Sequence, residues 1–351
     1  MEPMMKWGCC TALSLIALTA RASTWTVTTT GKGGTCTANS TSDPTCTLDV
    51  AILDAGNGDT ILFAPAVQTQ TIFFQPHGNL TASVTIDGSP NGVVLDGAGT
   101  YNMFYIDGGP TVVLSHLTFQ HGLGTSTAGA IFVSNGEVTI DSCTFAHNLA
   151  PGGGGAIFNN GSVTVLNSTF TDNHTTNPTT PYPGGAIWTQ GPLVVANSTI
   201  TGNTASGVGG GIAANPYTSV FLLSSIVASN SASVSGPDIA SYLSTVTSIG
   251  SDLIGDNSGD PGYVGDPSDQ IGVDPQFSPA GLADNGGATQ TVAILSSSPA
   301  VRHGNCAGHV GDAASPTIPA AILDQRGVVR GAPCAIGAYD ATVIFYGGFE
   351  N

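Results

Sequence analysis

The sequence predicts an all-β chain coiled into a right-handed parallel β-helix, a solenoid closed by N- and C-terminal capping segments. Three observations predict it: a repeat of 25 to 30 residues, apolar columns that hold their register between repeats, and a polar Asn column fixed relative to them. Aligned on one position, Phe119, Phe145, Phe170, Ile200 and Val227 are separated by 26, 25, 30 and 27 residues. Repeats of this kind belong to architectures in which each unit buries its apolar face only against its neighbours.

Each element of the repeat follows from side-chain alternation. Val112 and Leu114 are two apart and share one face of a strand; Val138/Ile140, Val163/Val165, Leu193/Val195 and Val220/Leu222 repeat the pair. Leu117 and Phe119 do the same for a second strand, and the odd interval between the pairs requires a bend. A third strand surrounds Ile131, in a Gly-Gly-Ala-Ile type motif that recurs at Ile157, Ile187 and Ile212, with Ile239 as a weaker fifth member. Asn135-Gly136, and Asn160-Gly161 one repeat later, then turn the chain into the next unit. Three strands with one apolar face each bury those faces by coiling around a shared interior, each strand stacked in parallel ~4.8 Å above its equivalent. The longest step comes from residues 174–183, an insertion confined to one loop edge, and residues 84–88 and 93–97 read as irregular first coils.

Asn148, Asn173, Asn203 and Asn230 follow the aromatic column by three residues, with Gly122 in the first repeat. Asn suits left-handed turn geometry, and stacked amides bond one another along an axis, so this column is expected to form a structural ladder. An antiparallel sandwich would need no such register.

Charged residues are 8% of the 351, against roughly 25% in an ordinary globular protein. Hydrophobic residues, at 41%, are too many for a disordered linker. Lys6, the apolar run from Trp7 to Ala20, and Ala20-Arg21-Ala22 form a signal-peptide pattern over residues 1–22, with Cys9 and Cys10 inside it. No other stretch approaches the ~20 apolar residues of a membrane helix. A net charge of −17 disfavours nucleic acid and anionic membranes, and suits solubility outside the cell or bound cations. In an oxidising compartment Cys36/Cys46 and Cys306/Cys334 are expected to form disulfides. Cys143 shares a column with Leu117, Ser168, Ser198 and Ser225 and is expected to be a free, buried thiol. The expected organisation is a signal peptide (1–22), an N-terminal cap (23–78), coils (79–245), a C-terminal domain (246–343) and a short tail (344–351).

Two repeats, Phe145-Ala146-His147-Asn148 with Gly154-Gly155-Ala156-Ile157 and Phe170-Thr171-Asp172-Asn173 with Gly184-Gly185-Ala186-Ile187, resemble the bacterial surface β-helix proteins of the polymorphic outer-membrane-protein type. Cys46-Thr47-Leu48-Asp49-Val50-Ala51-Ile52, followed by Gly58-Asp59-Thr60-Ile61, resembles a degenerate CSLREA motif, departing from it at Asp49 and Val50. The C-terminal flank resembles the choice-of-anchor Q domain, through Asp284-Asn285-Gly286-Gly287-Ala288-Thr289-Gln290-Thr291, Ser298-Pro299-Ala300, Asp324-Gln325-Arg326-Gly327 and Ile336-Gly337-Ala338-Tyr339. The resemblance spans roughly residues 36–340 and implies a surface location. Such a domain usually precedes an anchor, and here the short tail implies an abbreviated or absent one.

Beyond residue 22 the only lysine and arginine residues are Lys32, Arg302, Arg326 and Arg330, all outside the repeats, which argues against lyase chemistry on the coils. Arg326 is expected to contact Asp324. The repeats' acids Glu137, Asp141, Asp172 and Asp238 do not stack into the paired carboxylates a glycoside hydrolase needs. His121, His147 and Asp172 occupy one position on three successive coils, a ladder that suits a divalent metal or proton transfer. The plainer reading is an exposed turn column, which Gly202 and Ser229 continue. Asp252, Asp256 and Asp260, with Asp266, Asp269 and Asp274 after them, offer hard oxygens suited to calcium, the one cofactor the sequence suggests. Pro261 and Pro267 stand where an EF-hand places Gly and Glu, and solvated loops are the alternative. The expected function is an exported surface or secreted scaffold, adhesin-like, presenting loops to a glycan or a host- or cell-surface ligand. A secreted polysaccharide lyase or hydrolase and a purely structural spacer are the alternatives. Oligomeric state is left open.

Overall fold

A computed structural model describes residues 21–341 apart from 69, 75–77, 179–182, 259, 261, 313 and 314. Almost all of the expected signal peptide, and the tail at 344–351, lie outside the described residues.

The chain forms a parallel β-solenoid. Its first sheet has ten strands, from Thr24–Val27 to Tyr263–Val264, its second nine, from Thr71–Phe73 to Gln270–Ile271, and its third seven, from Gly78–Leu80 to Ile239–Ser241. Every pairing in these sheets is parallel, and the expected columns are in register: Val138 pairs with Val112 and Val163, Phe145 with Phe119 and Phe170, and Ile157 with Ile131 and Ile187. Alternation turns these residues inward, where one continuous apolar core runs along the axis. Phe119, Phe145 and Phe170 stack within it at centroid separations of 4.7 and 4.5 Å, close to the strand spacing.

Four features depart from the sequence-based expectation. Residues 84–88 and 93–97 are regular members of the stack, since Ile86 pairs with Leu114 and Leu95 with Phe119. The first sheet begins inside the segment expected as a cap, with Thr24–Val27 beside Asp59–Phe63. What closes this end is the helix Leu48–Asp54, which buries Leu48, Ala51 and Ile52. A fourth, short ladder also exists, of Leu149–Ala150, His174–Thr175, Thr204–Ala205 and Ser231–Ala232. Finally, left-handed backbone does not fall on the Asn column. It falls one residue earlier, at His121, His147, Asp172, Gly202 and Ser229, whose φ lies between 49° and 69°.

Two further corners carry left-handed columns. One is His116, Ser142, Asn167, Asn197 and Ser224; the other is Ala128, Gly154, Gly184, Gly209 and Gly236. The second column explains the first glycine of each Gly-Gly pair. The second glycine has a different cause: a Cβ at Gly155 would lie 2.0 Å from the Gly185 carbonyl oxygen, and one at Gly185 would lie 2.1 Å from that of Gly210. No side chain fits where coils approach so closely.

After Ile271 the C-terminal segment turns back along the outside of the second sheet. It includes an antiparallel hairpin, Phe277–Ala283 with Thr291–Ile294. Gln325 is buried against that sheet, donating to Thr144 Oγ1 at 2.9 Å and accepting from Thr169 Oγ1 at 2.6 Å. Thr289 donates to the Ser142 carbonyl, Ala338 N to Thr199 Oγ1, and Arg330 to Asn167 Oδ1. Arg326 pairs with Asp324 and lies 3.8 Å over the Tyr339 ring, holding this segment together. Disulfides join Cys36 to Cys46 and Cys306 to Cys334, one near each end, while Cys143 is free and buried.

The register predicts a contrast between neighbours. Phe145→Asp should unfold the protein or lower its melting temperature severely, because a charge would enter the ring stack without a partner. His147→Asp should stay within ~0.5 kcal/mol, since Asp172 already occupies that exposed, left-handed position one coil later. Thermal melts that showed equal losses would refute the inward assignment.

Candidate functional site

On the third sheet, the residue after inward Phe104, and after each inward Ile of the following coils, points outward. On successive coils it is Tyr105, Phe132, Phe158 and Trp188, followed by Ala213 and Ala240. The four rings form a strip along the axis: Tyr105–Phe132 stack at 5.1 Å, Phe132–Phe158 at 4.8 Å, and Trp188 tilts over Phe158 at 4.1 Å. Sequence reasoning aligned the Ile column and passed over this one. Three aromatics at one repeat position, each next to an inward Ile, were the available signal.

The strip floors a groove of about 590 Å³. Phe158 and Trp188 form its base, loop residues Thr125–Thr127 and Pro151–Gly153 one wall, and Gln190 and Asn215 part of the rim. Gly153 is needed there, because a Cβ would meet the indole at 3.1 Å. No described residue lining the groove is acidic, basic, His or Cys. Trp188 Nε1 is buried and has no acceptor among the described residues.

The Asn column is a hydrogen-bonded ladder inside the coil. Asn148, Asn173 and Asn203 each donate Nδ2 to the Oδ1 of the next Asn at 2.8, 2.9 and 2.8 Å. The Oδ1 atoms of Asn148, Asn173, Asn203 and Asn230 accept the backbone N–H of the equivalent residue one coil earlier, beginning with Gly122. A second ladder occupies the Cys143 column: the backbone N–H groups of Cys143, Ser168 and Ser198 each donate to the Ser Oγ one coil on. Cys143 is its first rung, with its thiol directed to the Asp141 carbonyl, and burial pushes that thiol's pKa up. Sequence alignment had placed it on this face.

The His121, His147 and Asp172 column is exposed at a left-handed corner. His121 and His147 stack at 5.6 Å, but His121 Nδ1 is engaged at 2.9 Å by Asp96, one coil earlier. Left-handed φ accounts for Gly, Ser, Asp and His at one position. The Asp252, Asp256 and Asp260 cluster does not converge either. Asp252 is fully buried and accepts from Ser225 N at 2.8 Å, ending the Ser ladder. Asp260 accepts from Ser241 N, and Asp256 is exposed in a local turn with Ser258. Among the described residues no three His, Cys, Asp or Glu side chains are grouped to hold a metal ion. Asp252, Asp256 and Asp260 each accept a hydrogen bond from a backbone donor at the end of the coils.

Those acceptors carry shifted proton affinities. Burial raises Asp238 to about 6, although hydrogen bonds from Asn230 pull the other way. Burial also holds Asp252 well above the usual carboxylate range. A proton count agrees. Ser248 Oγ lies 2.6 Å from Asp252 Oδ2 and 2.8 Å from Asp269 Oδ1, and has only one proton to give. Asp269 also accepts from Tyr263 Oη and from the Asp252 and Asp266 backbone, so the two carboxylates crowd a single hydroxyl donor.

Residues 71–244 match the family model described as the right handed beta helix region, which covers most of the stacked coils. No curated protein and no solved structure matches the chain. No helix among the described residues is long and apolar enough to cross a membrane.

The raised acids set a pH dependence. A carboxyl whose folded pKa exceeds its unfolded one stabilises most below about 4, and the gain is lost as pH rises through the folded value. Asp238 alone, at about 6 when folded, should cost about 1.5 kcal/mol between pH 5 and pH 8. Asp252 adds to the loss in the same direction. The melting temperature should therefore fall from pH 5 to pH 8, and Asp238→Asn should shrink the fall. A melting temperature that rose over this range would contradict the assignment.

Proposed function

We propose that this chain is an exported β-helical surface or secreted protein of the adhesin type, which uses the outer wall of the third sheet to hold a partner. One observation carries the reading: the walls are unequally covered. The C-terminal segment lies on the second sheet, leaving Thr144, Thr169 and Thr199 buried although they point outward. On the third sheet, by contrast, an aromatic strip opens into a groove walled by loops.

Other features support the reading. The signal-peptide pattern, the two disulfides and the scarcity of charge suit a protein outside the cell. Resemblance of the flanks to CSLREA and choice-of-anchor Q segments points to a bacterial surface. Groove-lining residues that carry no acid, base or nucleophilic thiol favour holding a ligand over cleaving one. That chemistry weighs against a polysaccharide lyase or hydrolase at this wall, and the groove weighs against a featureless spacer.

The test is an array of glycans and extracellular-matrix proteins, scored for retention and, in parallel, for release of reducing ends or unsaturated products. Retention without release is expected. Trp188→Ala should lower it about tenfold or more, while Thr164→Ala on the first sheet should leave it unchanged. Product release, or retention indifferent to Trp188, would overturn the reading.

A further inference from the structure

We infer that the third-sheet groove takes an uncharged glycan, with a sugar ring laid on Phe158 and Trp188 and its hydroxyls met by the amide and hydroxyl groups of the rim. This rests on the reading of that wall as the binding face, and adds the chemical class of the ligand.

The floor sets the first requirement. Phe158 and Trp188 lie in the base of the groove with their centroids 4.1 Å apart, each less than a tenth exposed, and the more exposed Phe132 and Tyr105 extend the strip toward the N-terminal end. Ring faces carry negative potential, so they favour a ligand surface of polarised C–H groups, such as one face of a pyranose. The strip stops at Ala213 and Ala240, which confines stacking to four coils.

The rim sets the second. Thr125, Ser126, Thr127, Gln190 and Asn215 each offer both a donor and an acceptor, which matches ligand hydroxyls that do the same. A purely apolar ligand would leave these groups unpaired on closure. In the floor itself, Trp188 Nε1 is buried without an acceptor, and a ligand oxygen brought to it would satisfy a donor the protein leaves open.

Charge sets the third. None of the described lining residues is charged, and the chain as a whole carries −17. Arg326 and Arg330 are engaged in the C-terminal segment on the second sheet. A uronate, sialylated or phosphorylated glycan would meet no counter-charge in the groove and a repulsive field outside it.

The experiment is titration of the full-length protein with neutral oligosaccharides (glucan, galactan, mannan and xylan fragments) and with their acidic counterparts (oligogalacturonate, sialyl-oligosaccharides), followed by tryptophan fluorescence and calorimetry. Neutral fragments should bind, with a fluorescence change that disappears in Trp188→Phe and persists when Trp25 is replaced by Phe. Gln190→Ala with Asn215→Ala, which leaves the core intact, should weaken binding about tenfold. Binding that depends on Trp188 but is confined to acidic glycans, or to a protein on the array, would overturn the inference and leave the binding wall standing. Binding of neutral glycans unaffected by both Trp188→Phe and the rim double variant would overturn both.

Discussion

A coiled strand path leaves backbone N–H groups at its corners pointing along the axis, beyond the reach of the sheet ladders, and the architecture depends on side chains from the next coil to accept them. A buried N–H without an acceptor costs about 1–3 kcal/mol, and every coil repeats the problem. Asn148, Asn173, Asn203 and Asn230 solve it at one corner, and Ser168, Ser198 and Ser225 at another. Each rung both donates and accepts, so the ladders have a direction, and the last rung needs an acceptor that has nothing to donate onward. Carboxylates fill that place. Asp238 accepts from both nitrogens of Asn230, and Asp252 accepts from Ser225. Asp238 and Asp252 are thus terminators of internal ladders, and their raised proton affinity follows from being buried for that purpose.

The same geometry shapes composition. Three left-handed corners per coil demand Gly, Asn, Ser, Asp or His, and close approach at the third demands a second Gly. Inward positions must be apolar, and the outward Thr144, Thr169 and Thr199 of the second sheet meet the C-terminal segment, which docks there through Gln325, Gln290 and Ala338. Few positions remain where a charge is tolerated, which accounts for a chain in which only 8% of residues are charged.

Most of the stack was legible because its signal is periodic. The inward columns and the Asn column each repeat one residue class in register from coil to coil, and stacking at the strand separation forces that class. What could not be read depended on contacts between segments far apart in sequence. Asp252 looked like a metal ligand or a loop acid until its place above Ser225 was known, and nothing local marked Thr144, Thr169 and Thr199 as covered by the C-terminal segment. The left-handed residue was misplaced by one, because Asn is the familiar left-handed residue and here its amide was wanted inside. Of the groove, the aromatic floor was visible in principle. Its rim was not, since Thr125, Pro151 and Asn215 come from three different coils and carry no shared spacing.

A solenoid that spends its interior on ladders and stacks has little room for a pocket inside, so recognition falls to the walls. The first sheet ends in tight turns, and the second is occupied by the chain's own C-terminal segment. At the third, the corner after the Asn ladder is where insertions are tolerated, because Gly154, Gly184 and Gly209 restore the register after any length of loop. The longest repeat step, with its extra residues between Asn173 and Gly184, falls at this corner, and Asn177 from it lines the groove together with Trp188. Variable loops next to a rigid aromatic floor separate the two demands on the wall: the floor is fixed by strand register, and loop length can change around it without disturbing the stack. That separation is what makes this wall, and no other, suited to evolve a ligand.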